Sequence, residues 1–216
     1  MDKITSNSTN VIIGVPSKGH LKSPTIEFLA KFGLKLELKK PRLLQAEIIG
    51  YPNYKVVLAH PMDIPLLLKH NAINVGFTGL DIVKEMQIKL RPVIKTNRGK
   101  IKMCLLVPNS TKLNHPFHLI DKTIATPFPN ITQEYFAKLK VNIKLHPIRG
   151  ASECMPYLGF VDGIVDVVET GVSAIENGLK IIADDIFDSE CVAVVGKPEL
   201  YSNYVEVNNF LRRIYQ

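Results

Sequence analysis

Short apolar runs bounded by Gly, Pro or Asn alternate along the chain with longer stretches of helical periodicity. This alternation is typical of an α/β fold in which largely parallel strands are connected by helices. Strands are predicted over residues 11–15, 55–59, 73–78, 101–107, 142–145, 163–168 and 191–195. We therefore expect an α/β protein of mixed, largely parallel sheet flanked by helices.

Cap residues and periodicity predict the helices between these strands. Ser23 is a good N-cap and Pro24 suits the first helical position, so a helix is expected from Thr25 to Phe32. Further helices are predicted after the caps Asp63 and Thr132, from Ser152, and over the amphipathic stretch 204–214. With the strand 11–15 and the turn at Gly19, the helix from Thr25 to Phe32 completes a strand, a glycine turn and a helix in succession.

The segment near residue 100 divides the chain into two lobes. Arg98-Gly99-Lys100 forms the connector, and the apolar run 191–195 is interpreted as a strand that returns to the first lobe. We predict lobe I over residues 1–98 plus 182–216 and lobe II over residues 99–181. Ligands of such folds bind at the carboxyl ends of strands, so the chemistry is expected in strand-to-helix turns.

Charge and composition restrict the partners. The net charge of +7 and a pI near 9.2 favour an anionic ligand. The lysines are scattered and no aromatic-rich stacking signature accompanies them, so small polyanions fit better than nucleic acid. No apolar run approaches a membrane span and no signal peptide is present, so a cytoplasmic protein without membrane association is expected. The three cysteines lie far apart, which favours neither disulfides nor zinc.

The stretch from Val161 to Leu179 carries the most chemical information. It reads as a buried strand, an acidic pair (Asp166 and Glu169), a turn and a helix. The turn 170–173 can point backbone N–H groups and two hydroxyls at one spot suited to a phosphate monoester, while the two carboxylates can accept hydrogen bonds from ribose hydroxyls. A sugar phosphate would use both groups, with its phosphate at the turn and its hydroxyls at the carboxylates. The alternative is an ordinary strand-turn-helix in which Thr and Ser only cap.

The same stretch resembles the signature of the ATP phosphoribosyltransferases. The matching residues are Gly150-Ala151-Ser152-Glu153, Pro156, Leu158-Gly159, Val161-Asp162, Ile164-Val165-Asp166, Glu169-Thr170-Gly171 and Asn177-Gly178-Leu179. Further matches keep their order along the chain: Pro16 to Leu21, Asp63 to Pro65, Val75 to Gly79, and Phe128 to Thr132. The resemblance spans roughly Val11 to Val195.

The resemblance implies a type II periplasmic-binding-protein-like architecture and the first reaction of histidine biosynthesis. In that reaction the adenine of ATP and phosphoribosyl pyrophosphate (PRPP) form N1-(5-phosphoribosyl)-ATP and pyrophosphate, with the 5′-phosphate in the turn and the remaining substrate between the lobes. The implied PRPP-binding residues are Asp166, Glu169, Thr170, Gly171, Val172 and Ser173. The implied ATP-binding residues are Gly19, His20, His60, Thr78 and Gly79, and the implied catalytic residues are Lys18, Glu153 and Asp166.

The expected mechanism depends on positioning and charge. The adenine N1 lone pair is already available as a nucleophile, so the main need is to stabilise the departing pyrophosphate. Mg²⁺ is expected to be held by substrate oxygens and water, with no metal ligand assigned to the protein. Lys18 is the leading candidate cation, followed by Arg98, Lys100 and Arg149.

Chain length implies partners within the same resemblance. A chain of 216 residues lacks the additional C-terminal regulatory domain of the long form of this family. Such short forms pair with a catalytically inactive subunit similar to histidyl-tRNA synthetase. We therefore expect a homo-oligomer, a dimer, together with a regulatory subunit of that kind.

Several departures from the family pattern leave two interpretations open. His20 and His60 stand where the family usually has arginine, whose planar fork binds phosphate with two parallel hydrogen bonds. Asn74 replaces an aspartate, Leu80 a polar residue and Val172 a hydroxyl residue. The chain is either a divergent active enzyme or a paralogue that binds nucleotides or phosphorylated sugars without catalysis. The enzyme is favoured because the acidic and turn residues survive: Glu153, Asp166, Glu169, Thr170 and Gly171.

Overall fold

The computed structural model describes residues 10–38, 43–150, 152–197 and 201–215, and it divides into two compact units. Unit 1 comprises the described residues up to Gly99 and those from Glu190 onward, and unit 2 runs from Lys100 to Ser189. Ala151 of the signature motif lies outside the described residues. The first boundary between the units, after Gly99, lies one residue from the predicted one. The second boundary follows Ser189, whereas it was predicted after residue 181.

Within the described residues, unit 1 is built on a seven-stranded sheet in the order β2-β3-β4-β1-β5-β12-β6. Its strands are β1 (Val11–Pro16), β2 (Leu36–Glu37), β3 (Gln45–Ile48), β4 (Tyr51–Ala59), β5 (Val75–Gly79), β6 (Arg91–Lys95) and β12 (Cys191–Val195). Its helices are α1 (Lys22–Lys31), α2 (Ile64–Lys69), α3 (Leu80–Met86) and α7 (Tyr204–Ile214).

Unit 2 contains a five-stranded sheet in the order β11-β7-β10-β8-β9, as far as the chain is described. Its strands are β7 (Ile101–Pro108), β8 (Thr123–Thr126), β9 (Lys144–Pro147), β10 (Gly163–Val168) and β11 (Leu179–Ser189). Its helices are α4 (Pro129–Leu139), α5 (Cys154–Tyr157) and α6 (Val172–Glu176), and a 3₁₀ turn covers Pro116–Leu119. Because β11 pairs with β7 as far as Ser189, the second lobe extends beyond its predicted end.

The sheet registers decide where ligand-binding loops can form. In unit 1, β4, β1 and β5 run parallel, and in unit 2, β10, β8 and β9 run parallel; the other pairings are antiparallel. The predicted class of mixed sheets flanked by helices is confirmed. Since parallel strands end at the same edge, each unit gathers three loops at one edge.

The unit 1 core covers the inner face of α7. The helix buries Val207, Phe210 and Ile214, which recur at helical spacing, and Phe210 meets the ring of Tyr54 edge to face at 5.2 Å between centroids. Burial of one such side chain contributes about 1.5 to 3 kcal/mol. The predictions of helix 204–214 and of the strands 163–168 and 191–195 are confirmed to the residue.

Two predicted caps are wrong, because each helix begins earlier than its hydroxyl residue. Helix α1 begins at Lys22, so Ser23 lies inside it, and the capping position belongs to Leu21. Thr132 lies inside α4, which begins at Pro129, and its hydroxyl donates to the Phe128 carbonyl at 2.7 Å. A hydroxyl bonded to the carbonyl four residues back belongs to the helix interior, not to its cap.

A buried amide pair ties α7 to β1 and explains the departure at Asn74. Asn74 Oδ1 accepts from the Ile12 amide at 2.8 Å, and Asn74 Nδ2 donates to Asn203 Oδ1 at 3.4 Å. Asn203 Nδ2 in turn donates to the Asn10 carbonyl at 2.5 Å. Both side chains are more than nine-tenths buried, so Asn74 has a structural role in unit 1.

We expect Asn203→Ala to lower the free energy of unfolding by about 1 to 3 kcal/mol, because buried amide groups lose their partners. Urea denaturation measures the loss. Asn209→Ala is the matched control, since Asn209 is exposed on the same helix and should change stability by no more than about 0.5 kcal/mol. Equal losses in the two variants would contradict the assigned role of the pair.

Candidate active site

The ends of β8, β9 and β10 bring three loops to one edge of unit 2. Thr126 of β8 lies beside Pro147 of β9, and the segment after Pro147 leads to Ser152 and Glu153. The turn 169–173 follows β10 at the same edge. Ser173 Oγ donates to Glu153 Oε1 at 3.3 Å, so the loops after β9 and β10 are in direct contact.

Asp166 occupies the second half of β10 and is half-buried. Its Oδ1 accepts from the Val167 amide at 2.7 Å, and its Oδ2 accepts from the hydroxyl of Ser152, which is fully buried. The orientation of the carboxylate is therefore fixed from both oxygens. The sequence signal for Ser152 was its place in the matched motif, where it was interpreted only as the start of a helix.

The turn after β10 keeps its backbone amides near the surface. Gly171 has a φ of +78°, and α6 then begins at Val172. The Ile175 amide donates to the Gly171 carbonyl at 3.2 Å, and the Val172 amide donates to the hydroxyl oxygen of Thr170 at 3.5 Å. The amides before Ile175 thus lie outside the helical hydrogen-bond ladder, as at any helix start. Helix α6 has only five residues, so the loop amides matter more than the dipole of so short a helix.

The loops after β1, β4 and β5 gather in the same way in unit 1. The Ser17 amide donates to the Ala59 carbonyl at 2.8 Å, which joins the ends of β1 and β4. Thr78 at the end of β5 donates its hydroxyl to the Pro61 carbonyl at 3.0 Å. The structure thus brings to one edge the catalytic candidate Lys18 and the residues predicted to bind ATP: Gly19, His20, His60, Thr78 and Gly79.

The two histidines of this edge differ in their hydrogen bonds. His60 is exposed, and its Nδ1 accepts from the Met62 amide at 3.2 Å, which assigns the proton of the neutral ring to Nε2. His20 has its Nε2 buried with no hydrogen-bond partner in the described part of the chain. A buried polar nitrogen without a partner costs about 1 to 3 kcal/mol, and a bound acceptor would remove that cost.

Thr78 and Gly79 lie deeper than the sequence suggested. Both are buried, and the hydroxyl of Thr78 is already engaged with Pro61. Gly79 is the last residue of β5 and the N-cap position of α3, and a Cβ there would collide with the side chain of Asp81. These two residues shape the turn that carries His60, and their contact with ATP stays a prediction.

The candidate cations are not equally available. Arg98 donates to Glu27 at 2.9 Å in an exposed ion pair. Lys18 is exposed and has no carboxylate partner among the residues that the structure describes. Lys18 is therefore a cation of this edge that a polyphosphate meets without first breaking an ion pair to a described residue.

A family model described as HisG: ATP phosphoribosyltransferase matches residues 60–216, which is more than half of the chain. The chain belongs to the ATP phosphoribosyltransferase family. An ATP phosphoribosyltransferase of Campylobacter concisus is 32% identical over 205 residues, covering 94% of this chain and 97% of that one. One from Ignicoccus hospitalis is 36% identical, covering 89% of this chain and 68% of the relative.

Two solved structures resemble the fold of this chain. The ATP phosphoribosyl transferase (HisG:HisZ) complex from Thermotoga maritima superposes with a TM-score of 0.76 at 28% identity, covering 94% of this chain and 96% of that one. The alkanesulfonate-binding protein SsuA from Xanthomonas axonopodis has a TM-score of 0.60 at 13% identity, covering 96% of this chain and 72% of that one. The predicted likeness to periplasmic binding proteins is thus confirmed at the level of the fold.

Two of the three cysteines of the chain, Cys104 and Cys191, are buried. Cys104, paired in register with Asp166, is buried, and burial raises the pKa of its thiol to about 11. Burial also raises the pKa of the Cys191 thiol, which lies 3.3 Å from the Thr25 hydroxyl. Both thiols are protonated at neutral pH, so neither is a nucleophile.

Thiol titration should therefore count one fast-reacting cysteine per native chain. Cys154 is exposed, whereas Cys104 and Cys191 are buried. With a chromogenic disulfide reagent at pH 8 we expect one thiol to react rapidly in buffer and all three in denaturant. Cys154→Ser should abolish the rapid phase, and a rapid phase that persists in this variant would contradict the assigned burial.

The structure also limits metal binding and membrane insertion. In the described ranges, no group of three or more His, Cys, Asp or Glu side chains is arranged to hold a metal ion. The described helices are all too short or too polar to traverse a lipid bilayer.

Proposed function

We infer that this chain joins PRPP to N1 of the adenine of ATP and releases pyrophosphate, the first step of histidine biosynthesis. The family match over residues 60–216 carries this conclusion. The positioned Asp166 and the turn 169–173 add a site in which the required groups are present.

The reaction needs little acid or base catalysis. The N1 lone pair forms a bond to C1 of the ribose, and the bond from C1 to the pyrophosphate oxygen breaks, with its electron pair leaving on pyrophosphate. Adenine N1 carries no proton, so none has to be removed for the attack. The protein must orient the two substrates and offset the charge on the leaving group.

PRPP is proposed to bind at the edge of unit 2. Asp166 and Glu169 accept hydrogen bonds from the ribose hydroxyls, and the 5′-phosphate lies against the amides of the turn and the hydroxyls of Thr170 and Ser173. The replacement of a hydroxyl residue by Val172 removes one side-chain donor. Its amide, which donates to Thr170 Oγ1 at 3.5 Å, would exchange that acceptor for a phosphate oxygen. Ser173 would exchange its present acceptor, Glu153, for a phosphate oxygen.

ATP and the leaving charge are proposed to engage the edge of unit 1. Lys18 is exposed and unpaired within the described residues, and the buried Nε2 of His20 lacks a hydrogen-bond partner there, which a ligand that reaches it would supply. His60 offers its Nε2–H at the same edge. Each histidine gives fewer donors than an arginine, so we propose that ATP is bound with weaker phosphate contacts than an arginine pair provides.

Mg²⁺ is proposed as the cofactor, held by the phosphate and ribose oxygens of the substrates and by water. This ion keeps several waters and prefers substrate phosphates to an all-protein cage. Removal of Mg²⁺ with a chelator should abolish turnover, and added Mg²⁺ should restore it.

A second subunit is proposed from the similarity to a solved complex. The Thermotoga maritima protein is an ATP phosphoribosyl transferase in a complex designated HisG:HisZ. We propose that this chain also forms a homodimer and binds a regulatory subunit of the same kind, similar to histidyl-tRNA synthetase.

The test is the ultraviolet absorbance of phosphoribosyl-ATP in a mixture of purified chain, ATP, PRPP, Mg²⁺ and pyrophosphatase. Product from the chain alone, or only after addition of the regulatory subunit, supports the transferase. No product under either condition, together with calorimetric binding of PRPP, would support the non-catalytic paralogue and overturn the proposed function.

A further inference from the structure

Two consecutive residues after β9 brace the segment that is proposed to bind PRPP. Ser152 donates its hydroxyl to Asp166 Oδ2 on β10, and Glu153 accepts the hydroxyl of Ser173 on α6 at 3.3 Å. One end of the brace thus holds the carboxylate proposed for the ribose, and the other contacts the turn proposed for the phosphate. Of the two residues, Ser152 is fully buried.

The hydroxyl of Ser152 controls how the Asp166 carboxylate is presented. The Val167 amide fixes Oδ1 at 2.7 Å, and Ser152 fixes Oδ2, so the plane of the carboxylate is set by donors on both oxygens. A carboxylate oxygen has two lone pairs, so each can also accept from a ribose hydroxyl. Loss of the Ser152 donor would remove one of the bonds that set this plane, and the terminal torsion of a carboxylate is broad and soft.

The position of Ser152 itself does not depend on that hydroxyl. Its carbonyl accepts from the Met155 amide at 3.0 Å, and α5 begins two residues later at Cys154. The backbone therefore holds the residue in place when the side chain is shortened. Removal of the hydroxyl should act on Asp166 and leave the surrounding turn intact.

We propose that Ser152 is a positioning residue for PRPP, which acts by fixing the orientation of the Asp166 carboxylate. The inference rests on the proposed function, since it assigns the ribose hydroxyls to Asp166. Ser152 is buried and does not itself touch the substrate. Its effect belongs to PRPP and not to ATP, because its contact lies entirely within unit 2.

The test is calorimetric titration of PRPP with Mg²⁺ into the intact chain. Ser152→Ala should raise the Kd for PRPP between about 10-fold and about 100-fold, the range for one hydrogen bond to a charged group, while the KM for ATP stays within about twofold. Ser152→Cys keeps the volume with a weaker donor and should fall between wild type and alanine. Thr111→Val is the control, because it removes a hydroxyl bonded to the Pro108 carbonyl at 2.9 Å and should leave the Kd unchanged.

A double-mutant cycle separates positioning from a general structural effect. Added to Asp166→Ala, the Ser152→Ala change should raise the Kd for PRPP by less than about twofold, because the carboxylate on which it acts is gone. Thermal unfolding of each variant verifies folding. An unchanged Kd in Ser152→Ala, or an equal loss in the presence and absence of Asp166, would overturn the proposal. Turnover of the wild type is measured separately, so PRPP binding without product would refute the proposed function alone.

Discussion

Asp166→Asn is expected to lower kcat/KM for PRPP by about 100-fold. An amide has the shape of the carboxylate but offers one acceptor oxygen, whereas both carboxylate oxygens already face donors from Ser152 and Val167. The amide NH₂ would have to face one of those donors, and two charge-assisted bonds to the ribose hydroxyls would be weakened. Losses of about 1.5 to 3 kcal/mol for such a bond account for the expected factor. Steady-state kinetics with PRPP varied at saturating ATP measures it.

The control for this change is Asp162→Asn. Asp162 is half-buried in unit 2, accepts from the Thr123 amide at 2.9 Å and pairs with Lys122 at 3.1 Å, but it precedes β10 and lies away from the turn. It should change the KM for PRPP by less than about twofold. If Asp166→Asn retains wild-type kcat/KM, Asp166 does not bind the ribose.

Gly171→Ala should raise the KM for PRPP by about 10-fold to 100-fold. Gly171 has a φ of +78°, a conformation that costs an L-residue about 1 kcal/mol, and a Cβ there would meet only Val168 Cγ1 at 4.0 Å. The added methyl group is therefore accommodated, but the backbone is strained. Relief of that strain turns the amides on either side of residue 171 away from a bound phosphate. Titration of PRPP in the steady state measures the change.

Gly159→Ala provides the matched control for backbone strain. Gly159 has a φ of +67°, no atom lies within 4 Å of its Cβ position, and it is exposed in unit 2 outside the turn. Its substitution should lower the melting temperature about as much as Gly171→Ala while leaving the KM for PRPP unchanged. An equal rise of KM in both variants would show that the turn has no special role.

Local sequence patterns predicted the elements whose buried residues form an unbroken apolar run or a regular helical repeat. Strand β10 is an apolar run between Gly163 and an acidic turn, and α7 repeats its buried residues at helical spacing, so both were located to the residue. Strand β3, in contrast, has only four residues with two of them buried, and it is defined by pairing with β4. Such an element depends on contacts distant in sequence, which explains why it was not predicted.

The candidate site likewise has a part that local sequence predicted and a part that depends on contacts distant in sequence. The chemistry of Asp166 and of the turn was visible in residue types that follow a buried strand. The bonds from Ser152 to Asp166 and from Ser173 to Glu153 depend on β8, β9 and β10 lying side by side, and no local pattern fixes that order. Asn74 was noticed in the sequence as a departure from the family pattern. Its explanation, the hydrogen bond to Asn203, is visible only in the structure because Asn203 is distant in sequence.

Phosphorus NMR of the complete reaction tests the transferase most directly. The chain, with the regulatory subunit when it is needed, is incubated with ATP, PRPP, Mg²⁺ and pyrophosphatase. We expect the PRPP signals to disappear only when ATP is present, with orthophosphate appearing in a 2:1 ratio to the PRPP consumed and the triphosphate of ATP retained in the product. PRPP that persists, or that is consumed equally without ATP, would contradict phosphoribosyl transfer to ATP.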